Sequence, residues 1–197
     1  MGANVYLEAV ASYGYNTETA ATAIVQGIQP REGERIAIRS YGLTAGTSAT
    51  LVYFMQCLGT STIDGAVTSG STTGLALASE PGPAGNTLIS NDYIAIQVDD
   101  GTVHFSMIAT GTYGNFSLST ALDDSVADGN RAWWFGAYGD EGHLQVNVAA
   151  STQEQETIDG GIFYANAKGY PMICYHANDV AGSAGSIDWL TIDYLNK

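Results

Sequence analysis

The chain's three histidines, His104, His143 and His176, fall on separate predicted strands, dozens of residues apart. A zinc or cupin-like site gathers its ligands through close pairs such as H-x-H with a nearby carboxylate, and no such pair occurs, so the spacing assigns no metal. Strand alternation sets His104 opposite the Val103/Phe105/Met107 face and His143 opposite Leu144/Val146/Val148, which predicts that both are surface residues. The run Asp123–Asn130 brushes against a calcium loop, because Asp124, Asp128 and Gly129 match the first, fifth and sixth positions of the EF-hand pattern. Val126 at the third position offers no side-chain oxygen and Phe135 stands where the bidentate acid belongs, so an EF-type loop is excluded and a looser calcium site among acidic loops is the alternative.

Nucleophilic chemistry fares no better. There is no G-x-S-x-G elbow, and the hydroxyl-rich loops Gly46-Thr47-Ser48 and Gly182–Ser186 have no histidine beside them. Paired acids such as Glu154/Glu156 or Asp99/Asp100 arise readily in a chain with 20 acidic residues and read as solvated loop charge rather than a glycosidase pair. No catalytic residue and no cofactor is assigned, and the expectation is a protein that is not an enzyme. Cys57 and Cys174 sit in apolar runs far apart, which reads as two buried thiols rather than a disulfide framework.

Two features rise above background as binding surfaces. Arg31, Arg35 and Arg39 are three of only six Lys and Arg residues, and Arg35 and Arg39 share one face of a predicted strand over Glu34–Leu43. In so acidic a chain they pair either with internal acids such as Glu8 and Glu32 or across a subunit boundary, where arginine's planar fork is favoured. The second is Trp133-Trp134-Phe135, in which Trp134 lies on the face opposite its two neighbours. Those rings are either buried between sheets or form an interface hot spot or sugar-stacking platform, with Tyr138 and the polar stripe His143, Gln145 and Asn147 around it.

The elements that must position these groups are strands. Short runs with period-two alternation, rich in Ile, Val, Tyr, Phe and Thr, recur between glycine-bearing turns at Val5–Tyr13, Ala21–Ile28, Glu34–Leu43, Thr50–Leu58, Gly74–Ser79, Tyr93–Val98, Thr102–Thr110, Arg131–Tyr138, His143–Ala149, Gly161–Ala165, Pro171–His176 and Ile187–Leu195. Asp99-Asp100-Gly101 predicts a hairpin whose sets Ile94/Ile96/Val98 and Val103/Phe105/Met107 make one apolar face, and Gly139–Gly142 predicts a second hairpin joining Trp133–Tyr138 to Leu144–Val148. Thr50–Leu58 is apolar on both faces, as a strand covered on both sides should be. The fold class is all-β, an antiparallel β-sandwich of jelly-roll type, with at most one short helix at Thr120–Asp128. A chain of 197 residues suits a single domain over 1–197, the one variation being an added C-terminal lobe from about Arg131.

A formal charge of −14 alongside 45% hydrophobic residues describes a folded protein with an acidic exterior. Such a field repels nucleic acid and anionic membranes, so neither is an expected partner. No apolar stretch reaches the ~20 residues of a membrane helix, and the first residues read as neither an export signal nor a lipid anchor.

The segment from Thr22 to Met55, TAIVQGIQPREGERIAIRSYGLTAGTSATLVYFM, resembles small all-β virion proteins of tailed phages of the capsid decoration or cement kind, in which a strand of I-x-I texture leads through T-A-G into a hydrophobic central strand. The resemblance implies a non-enzymatic structural protein, a homotrimer on the outer capsid surface of a virion assembled in the host cytoplasm. Its partner would be the major capsid protein, whose neighbouring subunits it bridges. The alternative function is a lectin-like carbohydrate-binding module or a receptor-binding domain of a phage appendage.

Overall fold

A computed structural model describes residues 15–17, 24–30, 32–82, 87–137, 139–140, 142–158, 167–177 and 185–195. The described chain is all-β and antiparallel, with thirteen strands: β1 (Tyr15–Thr17), β2 (Ile24–Ile28), β3 (Arg35–Thr44), β4 (Thr50–Gln56), β5 (Gly59–Thr62), β6 (Tyr93–Gln97), β7 (Val103–Thr112), β8 (Asn115–Leu118), β9 (Arg131–Gly136), β10 (Leu144–Val148), β11 (Gln153–Thr157), β12 (Met172–His176) and β13 (Gly185–Leu195). They divide into two compact units where a single domain was expected: residues 1–56 with 143–197 form unit 1, and the intervening residues 57–142 form unit 2. The division falls at 56/57 and 142/143 rather than at Arg131, because Arg131 begins a strand wholly inside unit 2.

Unit 1 is a sandwich of two four-stranded sheets, ordered β1-β13-β3-β11 and β10-β4-β12-β2. Its core interleaves Ile36, Ile38, Tyr41, Leu43, Ile187, Leu190 and Ile192 of the first sheet with Ile28, Val52, Phe54, Val146, Val148, Met172 and Cys174 of the second. Two bulges set which residues face inward. In the β13–β3 pairing, Arg39 is an extra residue on β3 and Asp188 an extra residue on β13. Each inverts the alternation of its strand, so that Ile36 and Ile38 give way to Tyr41 and Leu43, and Ile187 gives way to Leu190 and Ile192. β4 is buried on both faces as expected, Val52 and Phe54 in the core and Tyr53 and Met55 on the other side. At one edge lies β11, all five of whose residues are exposed; Glu156 accepts a hydrogen bond from the Tyr41 hydroxyl at 2.7 Å.

Unit 2 holds one five-stranded sheet, β5-β9-β6-β7-β8, whose core face is closed by irregular chain. Ile63, Leu75, Leu77, Leu88, Leu122 and Val126 from that chain pack with Ile94, Ile96, Ile108 and Trp134. The predicted strand Gly74–Ser79 is reduced to two isolated bridges, Leu75 to Phe116 and Leu77 to Ile63. Thr120–Asp128 forms no helix, since its amides bond across the chain, Leu122 to Ser71 and Val126 to Val67, leaving no ladder to residues four back. The first predicted hairpin forms as β6–β7, with Gly101 supplying the positive φ (+87°) of its turn. The second does not, because β9 is already paired on both sides by β5 and β6, and β10 pairs instead with β4 of unit 1's own sheet. Val5–Tyr13 and Gly161–Ala165 lie outside the described residues.

Candidate functional site

Of the sequence-predicted site residues, Arg31 and Tyr138 lie outside the described residues. Arg35 and Arg39 both stand half-buried on β3, Arg39 at the bulge and Arg35 with its Nε buried and without a hydrogen-bond partner among the described residues. His143 is half-buried just before β10, and Gln145 and Asn147 are exposed on it, opposite the buried Val146 and Val148. Gln145 and Asn147 thus share the outer face of β10. Its aromatic neighbours are different ones: the register puts Gln145 beside Tyr53 and Tyr53 beside Tyr175, the two rings 6.4 Å apart and tilted by 51°.

Trp134 is a core residue of unit 2, 4% exposed, so the stacking platform drawn around it has no open ring. Its indole Nε1 donates to Asp92 Oδ2 at 2.8 Å, and the Ile89 amide donates to the same oxygen at 2.9 Å. Burial raises the Asp92 pKa above the ordinary carboxylate value, the two donors offsetting part of the rise and the charge of Asp140 adding to it.

His104 is likewise buried, correcting its surface assignment. The register sets Ile96 across from His104 and Ile94 across from Ser106, so the core side of β7 is His104, Ser106 and Ile108 while Val103, Phe105 and Met107 take the other face. His104 Nδ1 is 2.7 Å from Asp123 Oδ2 and its Nε2 is 3.3 Å from Thr120 Oγ1. The order carboxylate, imidazole, hydroxyl is that of a nucleophile-activating relay, but the protons run the wrong way. Ser106 gives its proton to the Met107 carbonyl, so Thr120 must give its own to Ser106 Oγ (2.9 Å) rather than to the imidazole. Thr120 Oγ1 thereby has no proton left to give Nε2, and the arrangement is not that of a nucleophile poised beside its base. Thr120 N also donates to Ser106 Oγ, tying the loop to β7.

The third histidine occupies the corresponding place in unit 1. On β12, His176 is fully buried, in the inward row that pairs it with Val52 and Val52 with Val146. Its Nε2 is 3.1 Å from the Thr44 carbonyl of the facing sheet, and Gly185 lies against the ring so closely that a Cβ there would sit 2.5 Å from Cε1. Beside it Asp188, the bulged residue of β13, accepts from Thr44 Oγ1 (2.6 Å), Gln153 Nε2 (2.8 Å) and the Ser186 hydroxyl. Burial works to raise the Asp188 pKa, but those donors and the nearby imidazole together bring it below the ordinary value. None of these three nodes was legible as a motif; only the placement of a polar residue within an apolar strand hinted at them.

Two acids of the near-calcium loop accept from backbone, Asp128 Oδ1 from Gly65 N and Asp124 Oδ1 from Ser125 N, while Asp123 meets His104 and the loop's own Ala127 amide donates to Asp99 Oδ1. Among the described residues no group of three or more His, Cys, Asp or Glu side chains is placed to hold a metal ion. Burial raises both thiols, Cys57 to about 12 and Cys174 further, which suits inert core residues.

No family model matches the chain, and no curated protein matches it. Among solved structures, that of infectious bursal disease virus Gx strain is similar at 16% identity and a TM-score of 0.12, over 95% of this chain and 42% of that one. The chain thus spans less than half of that protein's length, and a likeness at so low a TM-score carries no argument.

Proposed function

We propose that this chain is a non-enzymatic structural protein of a phage virion, which binds the outside of the capsid as a homotrimer and stabilises it by bridging subunits of the major capsid protein. The observation that carries the reading is the strand order of unit 1. Counting only its own eight strands, the sheets run 1-8-3-6 and 5-4-7-2, an interleaving that supports reading this unit as a jelly roll, an architecture used by viral shell and lectin domains. Three further features support it. Among the described residues, the Ser106 hydroxyl gives its proton to the Met107 carbonyl, the Thr120 hydroxyl gives its own to Ser106, and His176 Nε2 meets the Thr44 carbonyl. The net charge of −14 disfavours attachment to packaged nucleic acid. Arg35 and Arg39 give β3 a localised positive character suited to acidic groups of a coat subunit. A trimer that engages several subunits at once gains avidity from modest single contacts, and binding only the assembled shell favours assembly by mass action.

The test is co-sedimentation of the purified chain with capsids that lack it, together with native mass spectrometry. Trimers that pellet with capsids, with pelleting weakened by Arg35→Ala and Arg39→Ala together, support the reading. A strict monomer that stays in the supernatant overturns it. The exposed amides of Gln145 and Asn147 favour one second reading, a carbohydrate-binding face on β10, for which glycan-array binding lost in Asn147→Ala would be the sign.

A further inference from the structure

His176 is the one fully buried histidine whose ring is only half satisfied, and its surroundings fix its protonation state by hydrogen-bond inventory. A carbonyl oxygen only accepts, so the contact with Thr44 O requires the proton on Nε2. Nδ1 is buried and has no hydrogen-bond partner among the described residues. Val52 stands across from His176 and Cys174 two residues before it on the same strand, both in the apolar core, and the Gly185 backbone closes over the ring. Beyond the backbone of His176 itself, no group among the described residues is placed to accept from Nδ1, so a second proton there puts a full charge in a buried site with little to offset it. The charged group that acts on the ring is Asp188 on β13, and its carboxylate is already engaged by Thr44, Ser186 and Gln153.

We propose that His176 is an acid-sensitive lock on the sandwich of unit 1: as the neutral, Nε2-protonated ring it ties β12 to β3 and lets β13 close over it, and on protonation it forces that end of the two sheets apart. Its pKa is lowered, mainly by burial, with the Thr44 carbonyl, the ring's own backbone and Asp188 opposing in part. The sign follows from linkage. The unfolded chain takes up a proton near the ordinary value of 6.5 while the folded one resists, so stability is full above pH 6.5 and falls as the pH drops below it. Asp92, whose pKa is raised, also responds above the ordinary carboxylate range and with the opposite sign, so the contribution of His176 is read as the difference between wild type and a variant that lacks it.

The experiment uses the whole chain with 15N-labelled histidine, observed by NMR between pH 8 and 5, alongside urea unfolding of wild type and of His176→Gln over the same range. The expected spectrum for His176 is the neutral Nε2–H tautomer throughout the folded state. The expected unfolding constant rises by up to tenfold per pH unit below 6.5 in wild type, and by less in the variant, whose side-chain amide keeps a donor for Thr44 without a titrating group. An Nδ1–H or doubly protonated ring in the folded protein at pH 6, or identical pH slopes in the two chains, overturns the proposal. If the variant does not fold, the tautomer and titration of the wild-type ring decide alone.

Discussion

In unit 1 the buried histidine stands in an apolar row between two sheets with one nitrogen bonded to the facing sheet and the other without a side-chain partner among the described residues, whereas in unit 2 the buried histidine stands in a line of four side chains, Asp123, His104, Thr120 and Ser106, that ends on the Met107 carbonyl. The difference follows from how each core is closed. Two regular sheets satisfy their own backbone and need no polar side chains between them, so a histidine there meets only a stray carbonyl. A single sheet covered by irregular chain leaves loop amides to be met, and unit 2 meets them with Asp92, Asp99, Ser106, Asp124, Ser125 and Asp128. Regular layers thus make a dry interior intolerant of charge, and a folded-over sheet makes a wetter chemistry that tolerates it.

The sharpest way to break that contrast is to hollow each core. Phe54→Ala, between two sheets that resist collapse, is expected to cost about 4–5 kcal/mol, and Phe116→Ala, under loops that can settle into the space, nearer 3 kcal/mol. Urea midpoints followed by circular dichroism measure both, and a reversed order would mean that the cover of unit 2 is the stiffer one. Next in size, Trp134→Phe keeps a ring but strips a donor from a buried carboxylate, at about 1–3 kcal/mol. Asp92 carries a pH signature opposite in sign to that of His176. Because its folded pKa is raised, its contribution is full below the ordinary 3.8 and fades as the pH climbs through the elevated value; Asp92→Asn should flatten that decline in a series of melts from pH 4 to 7. Thr120→Val cuts the run at its middle for about 1–2 kcal/mol and should mobilise the loop at Asp123, visible as faster amide exchange at Leu122. Smallest of all, Gln145→Ala and Asn147→Ala should stay within about 0.5 kcal/mol in the same melts, since both side chains are exposed.

The all-β class, the β6–β7 turn at Gly101 and the twice-covered β4 were readable because alternation and Asp-Gly turn chemistry are local signals. What was not readable depends on pairing. Val103, Phe105 and Met107 looked like the core face of β7 until the register set His104 across from Ile96. Arg39 and Asp188 looked like ordinary strand positions, yet as bulges they turn the strands over. β11, Gln-Glu-Gln-Glu-Thr, carries no apolar residue and reads as a loop; it is a strand because β3 offers it an edge. Trp134, the strongest binding signal in the sequence, is held inside by an aspartate 42 residues away, a partner no spacing rule could nominate.

If two copies laid β11 against β11 head to tail about Gln155, Glu154 of each would meet Glu156 of the other, and like charges directly opposed weaken such a ladder. The β11 edge is in this way guarded against pairing with its own copy.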